Sequence, residues 1–135
     1  LVGSEMCIRD SFKGMQLACS AITAEALKAT MPASVFSRST ESHNQDKVSM
    51  SAIAARDATT VIRLAEEVTA IHLLAGAQGI ALRGIDAAST VTRRAHATIR
   101  EKSPFVAEDR SLQADIEYVL EGLRADRFAQ LASQL

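Results

Sequence analysis

The run Glu41-Ser42-His43-Asn44-Gln45 puts a carboxylate, an imidazole and two carboxamides side by side. These groups offer proton acceptors together with hydrogen-bond donors and acceptors. The run lies at the mouth of a long apolar segment, where a polar group left without a partner costs about 1–3 kcal/mol. Such a cluster is therefore solvated, mutually hydrogen-bonded, or turned toward a ligand. Spacing alone leaves two readings open, a capped and solvated loop or a binding loop.

Other reactive side chains carry weaker signals. The 3 histidines, His43, His72 and His96, have separations that match no usual zinc pattern, and no cysteine pair accompanies them, so no metal site is expected. His72 falls on an apolar stripe and reads as a satisfied core histidine, whereas His43 reads as a group that orders its loop. Cys19, on a small-residue helix without an activating base nearby in sequence, reads as packing. Tyr118, the chain's 1 tyrosine, is expected to pack with its hydroxyl reaching water. Arg93, Arg94 and Arg100 read as a solvated helix face rather than an anion site.

Residues 31–45 are polar, serine-rich and without helical or strand alternation, which predicts a loop of about fifteen residues, a length that is often functional. Before it, Met15, Ala18, Ile22, Ala26 and Ala29 recur in steps of three and four, the mark of one helix face, and Pro32 ends that helix. After it, a long helix is expected to start near Asp46 to Ser49, where either residue can cap free N–H groups, and to stop at Gly84. It carries one stripe of Ala54, Ala58, Val61, Ala65, Val68, His72, Ala75 and Leu82, and a neighbouring one of Met50, Ile53, Leu64, Ile71 and Leu74. Two adjacent stripes require partners on more than one side. A third helix capped by Asp86 is expected to turn Ala88, Val91, Ala95 and Ile99 inward. A fourth, capped by Asp109, carries Leu112, Ile116, Val119 and Leu120 and breaks at Gly122. A short last helix holds Leu123, Phe128 and Leu131.

Composition points to the same class. Of the 135 residues, 47% are hydrophobic and only 4% aromatic, an alanine-rich balance that favours close-packed helices over sheets. A formal net charge of −1 supplies no general basic field, so no nucleic acid is expected as a partner. No apolar run approaches the roughly 20 residues that span a bilayer, so no membrane partner is expected either. The 2 cysteines are too few for a disulfide scaffold, and a reducing, cytoplasmic setting follows. Residues 1–11 show no period that continues into the next helix. They resemble translated adaptor sequence, which predicts that they are an extension foreign to the fold and that 12–135 is the domain.

The segment Glu41-Ser42-His43-Asn44-Gln45-Asp46-Lys47-Val48-Ser49-Met50, followed by Ile53-Ala54-Ala55-Arg56, resembles the C-terminal signature of the histidine, phenylalanine and tyrosine ammonia-lyase family. Lys13-Gly14-Met15-Gln16, Gln78-Gly79-Ile80-Ala81-Leu82-Arg83-Gly84, Asp109-Arg110 and Asp115-Ile116 resemble the same family in the same order. The resemblance implies an all-α chain, a long buried central helix with shorter packed helices, forming the C-terminal part of a larger helical-bundle enzyme. That enzyme would be a homotetramer taking an amino-acid substrate and releasing ammonia to give a trans unsaturated acid, or, in an aminomutase, moving the amino group to the β-carbon. Its electrophile would be a methylidene-imidazolone made from an Ala-Ser-Gly tripeptide. That tripeptide does not occur among these 135 residues, so the chain alone is expected to be inactive. By the same resemblance Glu41 is a catalytic and substrate-binding residue near the substrate amino group. Gln45, catalytic and substrate-binding, stands beside the cofactor and the substrate ring, and Asn44 orients its neighbours. Histidine-specific members usually carry glutamate where Gln45 stands. A carboxamide partners imidazole less well than a carboxylate does, which favours an aryl amino acid over histidine. The alternative is a non-catalytic helical module that serves only in oligomerisation.

Overall fold

Residues 11–39, 41–43 and 50–132 are described by a computed structural model, and among them every regular element is helical. Helix α1 covers Ser11–Lys28, so Ser11, the last residue of the expected extension, already belongs to a helix, and the residues before it lie outside the described ones. Met15 is buried, and Phe12, Cys19 and Ile22 pack partly against the same core. Ala18, expected on that face, is exposed, and Cys19 takes the inward position beside it. Pro32 ends the helix as expected, because its ring and the restraint on Met31 exclude another helical turn. The polar stretch that follows holds two single 3-10 turns, Ala33–Phe36 and Glu41–His43.

The long helix α2 runs from Ser51 to Arg83, 33 residues or about 50 Å. Its first residue follows Met50, which makes no side-chain cap bond; the Met50 carbonyl accepts the Ala54 N–H at 2.9 Å. The expected caps at 46–49 lie outside the described residues. At the other end Gly84, with φ 95° and ψ 123°, closes the helix as expected, in a backbone region that a side chain makes costly.

Helices α3, Thr90–Arg100, α4, Gln113–Arg124, and α5, Arg127–Ala132, complete the chain. Ser89 rather than Asp86 caps α3: its Oγ accepts the Thr92 N–H at 3.2 Å, while Asp86 sits in a separate 3-10 turn, Ile85–Ala87. Asp109 stands too early to cap α4, which starts after Leu112 without a side-chain cap. Gly122 does not break that helix. It lies buried inside α4 with the Phe128 ring against it, and the chain turns at Ala125 and Asp126, the latter at φ 54°.

Helices α1, α3 and α4 all pack on α2, and α5 rests on α3 and α4. The core is Met15, Ala70, Ile71, Leu74, Ala77, Ile99, Leu112 and Val119. The stripe of Leu64, Ile71 and Leu74 is thus the one buried, whereas Ala54, Ala58, Ala65, Ala75 and Leu82 face outward, Leu82 at 71% exposure. Burial belongs to the second half of α2. The first half carries exposed Ile53 and Ile62 and has little of this chain packed over it.

Candidate functional site

The loop between α1 and α2 is held to the body by its first residues. Ala33 is buried, and Val35 N–H and Ser37 N–H donate to Pro32 O and Ser34 O, both at 3.2 Å. Val35 and Phe36 point outward, each more than half exposed. Glu41 follows in its short turn, exposed to solvent. The turn depends on Ser42 at φ 56°, ψ 12°, a left-handed conformation that side chains other than Gly, Asn and Asp adopt at a cost. Asn44 and Gln45 lie outside the described residues. Of the three site residues expected from sequence, Glu41 is therefore the one with a described place.

A second polar cluster, which spacing did not reveal, is fully formed at the far end of α2. Gln78, buried to 7% exposure, donates from Nε2 to Val106 O at 2.9 Å and accepts at Oε1 from Val106 N–H at 3.2 Å and Arg100 Nη2 at 3.0 Å. Arg100 also donates to Ser103 O at 3.1 Å and, through Nε, to His96 Nε2 at 3.4 Å. The Ser103 hydroxyl, 1% exposed, donates to Asp115 Oδ1. Arg110 clasps both oxygens of Asp115, Nη1 to Oδ2 at 2.6 Å and Nη2 to Oδ1 at 2.7 Å.

The charges explain each other. Hydrogen bonding from Arg110, against the cost of burial and aided by Ser103, holds the Asp115 carboxyl below its ordinary range. The same pairing raises the Arg110 guanidinium, whereas burial pulls Arg100 down despite the attraction of Asp115. His96 is pushed down by burial and by the Arg100 charge, in keeping with its ring nitrogen acting as an acceptor. Gln78, Asp109-Arg110 and Asp115-Ile116 were the scattered segments of the family resemblance. Gln78, Arg110 and Asp115 meet in this one place, and a buried polar cluster is the physical reason for those residue types at those positions.

A cleft of about 540 Å³ opens between α1, α2 and α4, walled by Met15, Ile22, Ile71, Leu112 and Ile116 with Arg110 at its rim. A smaller one of about 430 Å³ lies under the start of the loop, between Met31, Ala33, Ala58 and Ile62. Glu41 lines neither. Its side chain is exposed, and neither of these two clefts encloses it.

The remaining candidates settle simply. His72 is exposed, not a core histidine, because the stripe it belongs to faces outward. Cys19 packs against the core, and burial raises its thiol. Arg93 and Arg94 are exposed. The Tyr118 hydroxyl is anchored rather than left to water: it lies 3.1 Å from both Thr98 O and Glu101 Oε2, and burial with the Glu101 bond raises its pKa. Arg127 stacks over its ring at 5.1 Å. Among the described residues no group of three His, Cys, Asp or Glu side chains can hold a metal, and no helix is long and apolar enough to cross a membrane.

The sequence model of the aromatic amino acid lyases matches residues 1–101. The chain belongs to the aromatic amino acid lyase family. Histidine ammonia-lyase of Natranaerobius thermophilus is 35% identical over 112 residues, 83% of this chain and 22% of that protein. Tyrosine ammonia-lyase of Cupriavidus metallidurans is 36% identical over 114 residues, 84% of this chain and 21% of that protein. Among solved structures, tyrosine aminomutase from Streptomyces globisporus matches 94% of this chain and 24% of its own, with TM-score 0.84 and 30% identity. Histidine ammonia-lyase from Trypanosoma cruzi matches 97% of this chain and 26% of its own, with TM-score 0.86 and 28% identity. The chain thus spans about a fifth to a quarter of the length of these lyase-family relatives. Over the matched part, the two solved structures share the helical arrangement described above.

Proposed function

We propose that residues 12–135 are the C-terminal helical part of a carbon–nitrogen lyase that eliminates ammonia from an aromatic amino acid or histidine to give a trans unsaturated acid. The observation that carries this reading is membership of the family, with a histidine and a tyrosine ammonia-lyase matched at 35% and 36% identity over more than four-fifths of the chain. In the elimination a base takes a proton from Cβ, its electron pair becomes the Cα–Cβ double bond, and the Cα–N bond breaks to release the amino group as ammonia. Glu41 is the residue we assign to the amino end of the substrate, where a carboxylate holds an ammonium or takes up a proton. Its exposed position on a strained turn leaves it accessible to a substrate enclosed by other parts of the protein. Gln45 is assigned to the substrate ring, where a carboxamide favours an aryl side chain over imidazole, and Asn44 is assigned to orienting its neighbours.

The family's methylidene-imidazolone would supply the electrophile that makes the amino group a leaving group. Gln45, which the resemblance sets beside it, lies outside the described residues, and none of the 135 residues forms the Ala-Ser-Gly from which it is made. The chain by itself is inactive on this reading. The complete enzyme is read as a cytoplasmic homotetramer. A second reading, an aminomutase that returns the amino group to the β-carbon, is favoured by the likeness to tyrosine aminomutase.

The test uses the complete polypeptide that contains these residues, supplied with phenylalanine, tyrosine and histidine. Ammonia release with an unsaturated acid supports a lyase, and a β-amino acid supports the mutase. Glu41→Gln should lower kcat by about 100-fold or more with circular dichroism unchanged. Absence of both products with every substrate would overturn the proposal.

A further inference from the structure

Residues 101–112, between α3 and α4, form a strap without regular secondary structure beyond the turn that ends α3. Its hold on the body is largely polar. Gln78 of α2 takes both the N–H and the carbonyl of Val106, and Arg100 of α3 takes the carbonyl of Ser103. Asp115 of α4 takes the Ser103 hydroxyl at one end of the strap and the Arg110 guanidinium at the other. Phe105 is 46% exposed, and the apolar anchors are Val106, partly buried, and Leu112, buried. Helices α1 and α2, by contrast, meet through Met15, Cys19, Ile22, Ile71 and Leu74.

Segments with few buried apolar contacts open at lower free energy than the core beneath them. A polar latch also differs from apolar packing in kind. Removing one partner strands the others, here the hydroxyl of Ser103, a residue that is 1% exposed, and one arm of a half-buried arginine, and the stranded groups regain water when the strap opens. Arg110 and Leu112 also wall the cleft between α1, α2 and α4, so movement of the strap removes one side of that cleft.

We propose that residues 101–112 are a latched strap, keyed by Asp115, that opens as a unit and uncovers the apolar cleft between α1, α2 and α4 while the α1–α2 packing stays closed. The strap is a conformational element of the fold, independent of the reaction assigned above. Asp115 is the key because it joins both ends: Ser103 and Arg110 stand on either side of the strap and share one carboxylate.

Hydrogen exchange in the intact polypeptide tests this, comparing wild type with Asp115→Asn. In wild type, amides of residues 105–112 should exchange through an opening of lower free energy and weaker urea dependence than those of α1 and of residues 64–77, and in the variant they should exchange about tenfold faster or more and remain the least protected. Nile red, a neutral apolar dye, should show stronger emission with the variant as the cleft opens. Strap amides that share the opening free energy and urea dependence of α1 and residues 64–77, or no acceleration in the strap, would overturn the proposal. Should Asp115→Asn fail to fold, Ser103→Ala and Arg110→Lys each break one end of the latch and must show the same faster exchange in the strap; strap amides that open only together with the core are equally fatal to it.

Discussion

Asp115 and Arg110 are joined by two parallel hydrogen bonds of 2.6 and 2.7 Å across the start of α4, the bidentate geometry that makes arginine–carboxylate pairs strong. Because Asp115 is 4% exposed, its loss leaves buried partners behind. Asp115→Asn should lower unfolding stability by about 2 kcal/mol, measured by urea denaturation. Arg110 is 36% exposed, so Arg110→Ala should cost less, since water can reach part of what it leaves.

The same pair sets a pH dependence. The Asp115 carboxyl titrates lower in the folded chain than in the unfolded one, so the folded state binds fewer protons in acid. Its contribution is fully present above the unfolded carboxylate value of about 3.9 and is lost as pH falls through the folded value. Wild type should lose stability between pH 4 and more acid conditions more steeply than Asp115→Asn does, as thermal melts across that range would show.

Gly84 closes α2 at φ 95°, ψ 123°, and nothing lies within 4 Å of where a Cβ would stand. Strain is then the whole effect. Gly84→Ala should cost about 1–3 kcal/mol, visible as a lower melting temperature without a change in helix content at low temperature.

At Gly122 space decides instead. A Cβ there would meet the Phe128 ring at 3.0 Å, so the gain of about 1 kcal/mol in helix propensity is offset by displacement of that ring. Gly122→Ala should not stabilise the chain, and Gly122→Ala combined with Phe128→Leu should recover stability relative to Gly122→Ala alone.

Exposed Ile62 and Leu82, at 60% and 71%, are apolar side chains on α2 with little of this chain over them. Purified alone, the chain should self-associate, and Ile62→Lys with Leu82→Lys should shift it toward monomer in light scattering. A monodisperse wild-type monomer would contradict this. In the complete polypeptide, Gln45→Glu should raise kcat/KM for histidine relative to phenylalanine; an unchanged ranking would remove the basis for the aryl preference.

Much of the helical layout was legible because it is local. The three-and-four spacing from Met15 to Ala29, Pro32 after α1 and Gly84 after α2 act within a turn or two of themselves. Caps were harder: Asp86 and Asp109 are good capping residues, yet Ser89 alone makes the bond at α3, and α4 starts at Leu112 with none. Choosing between the two stripes of α2 required knowing what packs where. His72 was misplaced for that reason, since its stripe is regular but faces outward. The polar cluster escaped spacing entirely, because Gln78, Ser103 and Asp115 come together only when α2, the strap and α4 do. For the proposed site, the resemblance is what pointed to Glu41, Asn44 and Gln45, and the structure adds the exposed place of Glu41 on its turn at Ser42.

The length of α2 has a thermodynamic consequence. Ser51, where it begins after the loop, and Gln78, where the strap is fastened, stand about 40 Å apart along its axis. Perturbations that far apart with no shared neighbours combine additively, within about 0.5 kcal/mol. Evolution or an engineer can therefore retune the two ends of this rod independently, altering the loop end without disturbing how firmly the other end is fastened.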